Sequence, residues 1–189
     1  MTPAPTSAWF LVGPTAAGKT AVAQRLAERR GALILSADSM LVYRGMDIGT
    51  AKPFPAERGQ VPYLGLDCVT PDQSFSVGDY LQVVREGLAR LGGAHRPCIA
   101  VGGTGLYISC LLNGLRPGAG PDPALRRRLE SLHETGGVVA LQAELDRVAP
   151  GRLASLSDPR NPRRLIRAIE KAMGGEVEAA WSESPELPP

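Results

Sequence analysis

The run Gly13-Pro14-Thr15-Ala16-Ala17-Gly18-Lys19-Thr20 constrains this chain more than any other feature, because it matches G-x-x-x-x-G-K-[ST], a pattern that works only between a strand and a helix. That context is present. Trp9-Phe10-Leu11-Val12 reads as a short buried strand, and residues 18–30 carry Val22, Ala23, Leu26 and Ala27 at helical spacing. In such a loop glycines let successive backbone N–H groups converge on phosphate oxygens, and the helix N-terminus adds partial positive charge. Lys19 is then placed to bridge terminal phosphates, and the Thr20 hydroxyl to ligate Mg²⁺.

The rest of the pattern extends this start into an α/β fold. Ala32-Leu33-Ile34-Leu35 is a second apolar run with no polar alternation, as expected of a parallel strand covered on both faces, so strand, helix and strand predict a right-handed crossover. Residues 76–91 read as a helix with Tyr80, Leu81, Val84, Leu88 and Leu91 on one stripe, ended by Gly92-Gly93. Cys98-Ile99-Ala100-Val101 is a third buried strand, and Gly102-Gly103-Thr104-Gly105 turns into a helix through residues 106–112. Residues 47–59, with Gly49, Pro53 and Pro55, predict a mobile loop.

Beyond a Pro/Gly-rich linker at residues 116–121 the character changes. Asp122 caps a predicted helix with Pro123 at its first position, residues 138–145 form another, and Asn161-Pro162 starts a third whose Leu165, Ile169 and Met173 face inward. The expected organisation is a P-loop NTPase-like parallel sheet flanked by helices over residues 1–118, a small helical subdomain over 119–175, and an acidic disordered tail over 176–189.

Composition narrows the class. With 189 residues, 43% hydrophobic and 21% charged, the chain has enough apolar surface for a core, and no apolar run nears the roughly 20 residues that cross a bilayer. The first eight residues lack the basic and apolar segments of a secretory signal, so a cytoplasmic, membrane-free protein is expected. Cys68, Cys98 and Cys110 are odd in number and widely spaced, and read as buried thiols; His95 and His133 form no metal pair. Net charge is only +2, yet 18 of the 21 basic residues are Arg, and six lie in the clusters Arg126-Arg127-Arg128 and Arg163-Arg164 with Arg167. Arginine suits bidentate phosphate contact, whereas clusters alone read equally as solvated helix faces.

Two acids bear on the chemistry. Ligands of such sheets bind at the carboxyl ends of strands, so Asp38, directly after the second strand, is a candidate base or metal ligand, and from position alone equally a turn residue. A P-loop NTPase normally adds an acid at the end of a neighbouring strand. Here the third strand ends Val101-Gly102-Gly103, and the comparable acid is Asp67 after Tyr63-Leu64-Gly65-Leu66, which weakens an ATP-hydrolysing reading.

The blocks Gly13 with Gly18-Lys19-Thr20, Asp38-Ser39, Tyr43-Arg44-Gly45-Met46-Asp47-Ile48-Gly49-Thr50-Ala51-Lys52-Pro53, Val101-Gly102-Gly103-Thr104-Gly105-Leu106-Tyr107, Asp122-Pro123 with Arg126, and Asn161-Pro162-Arg163-Arg164 with Arg167 resemble the tRNA dimethylallyltransferases, in collinear order over about residues 8–173. The resemblance implies transfer of a dimethylallyl group from dimethylallyl diphosphate to the N6 amine of adenosine 37 in tRNA. It implies a loop, Gly13 through Thr20, turned from ATP to the pyrophosphate group, with Mg²⁺ at Thr20, Lys19 neutralising the leaving group and Asp38 as general base. By the same resemblance Ser39, Met40 and Leu41 border the extruded adenosine, Thr104 and Arg126 contact tRNA, and Arg163, Arg164 and Arg167 grip its backbone. Pro62-Tyr63-Leu64 stands where the family shows a His-His pair after a proline, and the family's C-terminal helices lie beyond the point where this chain turns acidic, so a shortened, monomeric member is expected. Three other readings remain: an adenylate isopentenyltransferase acting on free nucleotide, a small-molecule kinase with Arg126, Arg127 and Arg128 in its lid, and a weakly catalytic tRNA-binding remnant.

Overall fold

The computed structural model describes residues 8–91, 96–115 and 122–174, which fall into two compact units, one before and one after the segment at 116–121. The N-terminal tail, Gly92-Gly93, His95, the linker and the acidic tail lie outside the described residues.

The first unit is built on four parallel strands: β1 (Ala8–Val12), β2 (Leu33–Ala37), β3 (Tyr63–Leu64) and β4 (Cys98–Gly102), in the order β1-β4-β2-β3. Helices α1 (Lys19–Arg30), α3 (Val77–Leu91) and α4 (Gly105–Asn113) connect and cover it, and a single turn, α2 (Pro55–Arg58), lies ahead of β3. The strands are continuous apolar runs because both faces are covered. On β2, Leu33, Leu35 and Ala37 pack with Tyr80, Leu81, Val84 and Leu88 of α3 and Tyr107, Cys110 and Leu111 of α4, whereas Ile34 turns to Ala23 and Ala27 of α1. This period-two alternation makes a helix–sheet–helix sandwich.

The strand order carries functional weight. β4 is inserted between β1 and β2, pairing Val12 with Gly102 on one side and Ala37 with Gly102 on the other. The segment after β4 is therefore wedged between the ends of the other two strands, and only glycine fits. A Cβ on Gly102 would drive into the Ala37 carbonyl, and one on Gly103 would come within 3.3 Å of the Gly13 carbonyl oxygen. The Thr104 N–H then donates to the Ala37 carbonyl at 3.1 Å.

Residues 47–59 correct the expectation of a mobile loop, because Lys52 and Pro53 are buried and hold the segment against the unit. Cys98 and Cys110 are buried as expected; Cys68 is only half-buried.

The second unit packs α5 (Pro123–Val148), a single 3₁₀ turn (Arg152–Ser155) and α6 (Pro162–Met173) around Leu129, Leu141, Leu145, Leu165, Ile166 and Ile169. Gly137, at φ 65°, breaks α5 into two helices. The helix-starting signals act as their chemistry dictates: Asp122 accepts from the N–H groups of Ala124 and Leu125 at 2.9 and 3.1 Å, and Asn161 from those of Arg163 and Arg164 at 3.1 and 3.3 Å. Each is followed by proline, whose missing N–H is not needed there.

The wedge at the end of β4 is open to direct test. Gly102→Ala is expected to lower the free energy of unfolding in urea by about 3 kcal/mol through overpacking. Gly105→Ala, where an added methyl meets nothing within 4 Å, should be neutral or stabilising by up to about 1 kcal/mol.

Candidate phosphate and acceptor site

The phosphate loop sits at the carboxyl end of β1. Ala16 and Gly18 both adopt left-handed backbone conformations, at φ 65° and 74°, so the chain turns sharply into α1. Such a conformation is uncommon for alanine, and its place at the turn is the kind of local strain that marks a ligand-binding loop. Gly18 is the N-cap of α1 and no side chain caps the helix, which leaves the first-turn N–H groups without side-chain acceptors. Amides so placed are suited to an anion. Pro14, Thr15, Ala16, Ala17 and Gly18 are exposed, Gly13, Lys19 and Thr20 half-buried. The Lys19 ammonium folds back to donate to the Pro14 carbonyl at 2.7 Å, which keeps it over the loop.

Asp38 follows β2 directly and is half-buried. One of its carboxylate oxygens accepts the Met40 N–H at 2.9 Å, so the turn role and the chemical role are compatible, since the second oxygen has no partner among the described residues. With β4 between them, the ends of β1 and β2 are two strand spacings apart, roughly 10 Å. The loop and Asp38 thus lie at the carboxyl ends of β1 and β2, on either side of the Gly102-Gly103-Thr104 segment.

Thr104 is tied to the turn after β2. Its hydroxyl accepts the Ser39 N–H at 2.9 Å and donates to the Ser39 hydroxyl at 3.3 Å. It holds the turn that carries Asp38. Met40 is 46% exposed and available to a ligand, while Leu41 is 9% exposed and points inward. Tyr107 packs under this turn, stacked on Tyr80 with ring centroids 3.9 Å apart. Burial pushes its hydroxyl up to about 12, with nearby charges including Asp38 adding to the shift, so it stays a neutral phenol at physiological pH.

Asp67, the acid that follows Tyr63-Leu64-Gly65-Leu66, is held in ion pairs. Its Oδ1 pairs with the Lys52 ammonium at 2.6 Å and its Oδ2 with the Arg58 guanidinium at 3.2 Å. Burial alone would raise its carboxyl, but the bonds to Lys52 and Arg58 outweigh it and hold it below the usual range. Lys52 itself is buried and also binds Asp47 at 2.8 Å and the Tyr43 carbonyl at 2.6 Å. Burial would lower its ammonium, yet the hydrogen bonds to Asp47 and Asp67 raise it. The sequence pattern carried no sign that this lysine is interior.

The Thr20 hydroxyl is a group that could hold Mg²⁺ together with phosphate oxygens and water, the hard oxygen set that this ion prefers. No cluster of three or more His, Cys, Asp or Glu suited to a metal occurs among the described residues. Thr20 lines a cavity of about 20 Å³ shared with Ser36, Tyr63 and the apolar Ala23, Ile34, Leu41, Leu66 and Val101. Ser36 was not singled out by the sequence pattern, and its buried hydroxyl has no hydrogen-bond partner.

The arginines of the second unit are not equivalent. Arg126 forks onto the Glu170 carboxylate at 2.8 and 2.9 Å, and Arg167 reaches it at 3.1 Å. Glu170 is 2% exposed; burial would raise its carboxyl, but Arg126 and Arg167 outweigh it and lower it. Arg164 donates to the Ser157 hydroxyl, and Arg128 pairs with Glu144. Arg127 and Arg163 are exposed and have no ion-pair partner among the described residues.

Fold and loop together define a P-loop NTPase-like α/β protein with a small helical unit. The family model described as IPP transferase matches residues 41–187, and that described as Isopentenyl transferase matches residues 6–64. The chain belongs to the IPP transferase family. A tRNA dimethylallyltransferase of Syntrophobacter fumaroxidans is 48% identical over 161 residues, 85% of this chain and 47% of that protein. One of Deinococcus radiodurans is 44% identical over 160 residues, 85% of this chain and 52% of that protein. The crystal structure of the full-length tRNA isopentenylpyrophosphate transferase of Bacillus halodurans superimposes with a TM-score of 0.56 at 36% identity, covering 93% of this chain and 57% of that one. A eukaryotic dimethylallyltransferase acting on tRNA, at 21% identity and TM-score 0.68, covers 90% of this chain and 43% of its own and shares the fold. The chain spans about half the length of the curated relatives it matches. No helix among the described residues is long and apolar enough to cross a membrane.

The ion-pair centre at Lys52 makes a stability prediction. The Asp67 carboxyl is held low, so its contribution is present at neutral pH and is lost as pH falls through that depressed value. The Lys52 contribution is present below the usual lysine range and is lost as pH rises through the raised value. Lys52→Met is expected to lower unfolding free energy at neutral pH by about 2 kcal/mol, discounted because both carboxylates are partly solvated. It should also flatten the acid limb of stability against pH, as read by urea denaturation.

Proposed function

We propose that this chain carries the prenyl-transfer centre of a tRNA dimethylallyltransferase, moving a dimethylallyl group from dimethylallyl diphosphate to the N6 amine of adenosine 37. The observation that carries this reading is the pairing, across Gly102 and Gly103, of an uncapped phosphate loop with a carboxylate that keeps one oxygen free. A kinase or ATPase would want an acid at the end of the neighbouring strand, where this chain has glycine, and Asp67 is committed elsewhere.

In this reading the diphosphate lies on the amides of residues 13–20 with Lys19 swung from Pro14 onto its terminal oxygens. The adenine amine approaches from the Asp38 side, against Ser39 and exposed Met40. The amine lone pair forms the C–N bond at the allylic carbon as the C–O bond breaks, and the electron pair leaves with pyrophosphate. Asp38 takes the proton released from nitrogen. The amine is a weak nucleophile, so positioning and stabilisation of the leaving group supply most of the acceleration, with proton removal finishing the step. Bound Mg²⁺, held at Thr20, would neutralise charge on the departing pyrophosphate. Cytoplasmic location and action as a monomer belong to the same proposal.

Incubation of substrate tRNA with dimethylallyl diphosphate and Mg²⁺ should add one C5H8 unit, detected by mass spectrometry of nucleosides, and no adduct on competent tRNA would sink the reading. Prenylation of AMP but not tRNA would favour the free-nucleotide alternative. Asp38→Asn keeps the acceptor for the Met40 N–H and should slow transfer by at least about 10²-fold with tRNA affinity little changed.

The arginines separate by mechanism. Arg163→Ala should weaken tRNA binding and reduce its salt dependence while leaving unfolding unchanged. Arg126→Ala, which takes from buried Glu170 its forked partner, should instead lower stability by about 2 kcal/mol. Calorimetric melting beside filter binding at two salt concentrations distinguishes them.

A further inference from the structure

The Ser36 hydroxyl is the one buried side-chain polar atom without a hydrogen-bond partner among the described residues. Ser36 is 3% exposed, lies on β2 two residues before Asp38, and has no hydrogen-bond partner for its Oγ. Leaving a buried hydroxyl unpaired costs about 1–3 kcal/mol, so a chain that only needed to fill this space would do better with alanine. The side chain faces α1, like Ile34 in the same strand, and lines the cavity that Thr20 also lines. That cavity, at about 20 Å³, has room for a single water. Of the three hydroxyls around it, Tyr63 already donates to Gln24 at 2.8 Å, which leaves Thr20 and Ser36.

Hydroxyl chemistry says what the second is for. A threonine that gives a lone pair to a cation must turn its single proton away from that cation, and a buried proton needs an acceptor. Ser36 lines the same cavity and is able to supply one through a water there. Ligand-orienting partners of this sort typically change metal affinity 10- to 100-fold when removed.

We propose that Ser36 is a positioning residue for Thr20: it accepts, across the shared cavity, the proton that Thr20 must point away from a bound Mg²⁺, and so sets how much the ion strengthens diphosphate binding at the loop. This rests on the diphosphate reading of residues 13–20.

Inorganic pyrophosphate, titrated calorimetrically into the chain with and without Mg²⁺, separates the two. The unsubstituted chain should bind it in both conditions and more tightly with Mg²⁺. In Ser36→Ala the gain from Mg²⁺ should shrink about tenfold, while affinity without the ion stays unchanged because the loop amides and Lys19 carry it. Ser36→Cys fills the same space with a poor acceptor and should behave like Ser36→Ala; Ser36→Thr keeps a hydroxyl and should restore the gain. An undiminished Mg²⁺ effect in Ser36→Ala or Ser36→Cys, above all with a raised melting temperature, would overturn the assignment and leave the diphosphate reading standing. Absence of any pyrophosphate binding by the unsubstituted chain would remove the diphosphate reading, and this inference with it.

Discussion

Close backbone approach at the end of β4 is the constraint on which the candidate site depends. Gly102 pairs with Val12 on one side and Ala37 on the other, with the Ala37 carbonyl occupying the space where a side chain would project. Gly103 lies against the Gly13 carbonyl, and Thr104 binds both the Ala37 carbonyl and the Ser39 turn. One short segment thereby fixes the spacing between the phosphate loop and Asp38. Were β4 to end in a bulky residue, the strands would splay and the loop and the carboxylate would lose that spacing.

Each unit also encloses one charge of its own. In the first, the Lys52 cation is buried against two carboxylates and a carbonyl; in the second, the Glu170 anion is buried against two guanidinium groups. Both are paired and hydrogen-bonded, as a charge removed from water must be. The consequences differ. Lys52 pins residues 43–52 to Asp67 and so steadies the chain running on from the Asp38 turn, whereas Glu170 withdraws Arg126 and Arg167 from full availability to an outside phosphate. The positive surface of α5 and α6 is consequently narrower than their arginine content suggests, with Arg127, Arg163 and Lys171 its unpaired members among the described residues.

What the sequence made legible follows from how local each signal is. The loop at residues 13–20, the apolar strands, the Asp122-Pro123 and Asn161-Pro162 helix starts and the place of Asp38 rest on a few adjacent residues each, and local chemistry dictates them. The insertion of β4 between β1 and β2 is a pairing of distant segments, and nothing in one strand names its neighbour. Lys52, Glu170 and Ser36 were missed for a related reason. A charged or hydroxyl side chain reads as solvent-facing until residues from elsewhere in the chain surround it: the partners of Lys52 and Glu170 lie 15 and 44 positions away, at Asp67 and Arg126, and Ser36 is enclosed with no hydrogen-bond partner among the described residues. The loop at residues 47–59 was misjudged through Lys52, since its Gly and Pro content describes backbone freedom and not the buried ammonium that removes it.

The distribution of acids decides between the chemistries open to a phosphate loop. Transfer from ATP asks for a carboxylate beside the metal at the end of the strand next to β1, and that strand is β4, which ends in glycine. Asp67, the remaining nearby acid, is held by Lys52 and Arg58. The carboxylate that is left, Asp38, stands one strand further out, at the end of β2. An uncapped phosphate loop and a carboxylate set back by one strand suit the proposed reaction, in which pyrophosphate would be the leaving group and an amine the acceptor. The close approach at Gly102 and Gly103 sets that carboxylate two strand spacings from the loop, which leaves room for a reacting molecule between them.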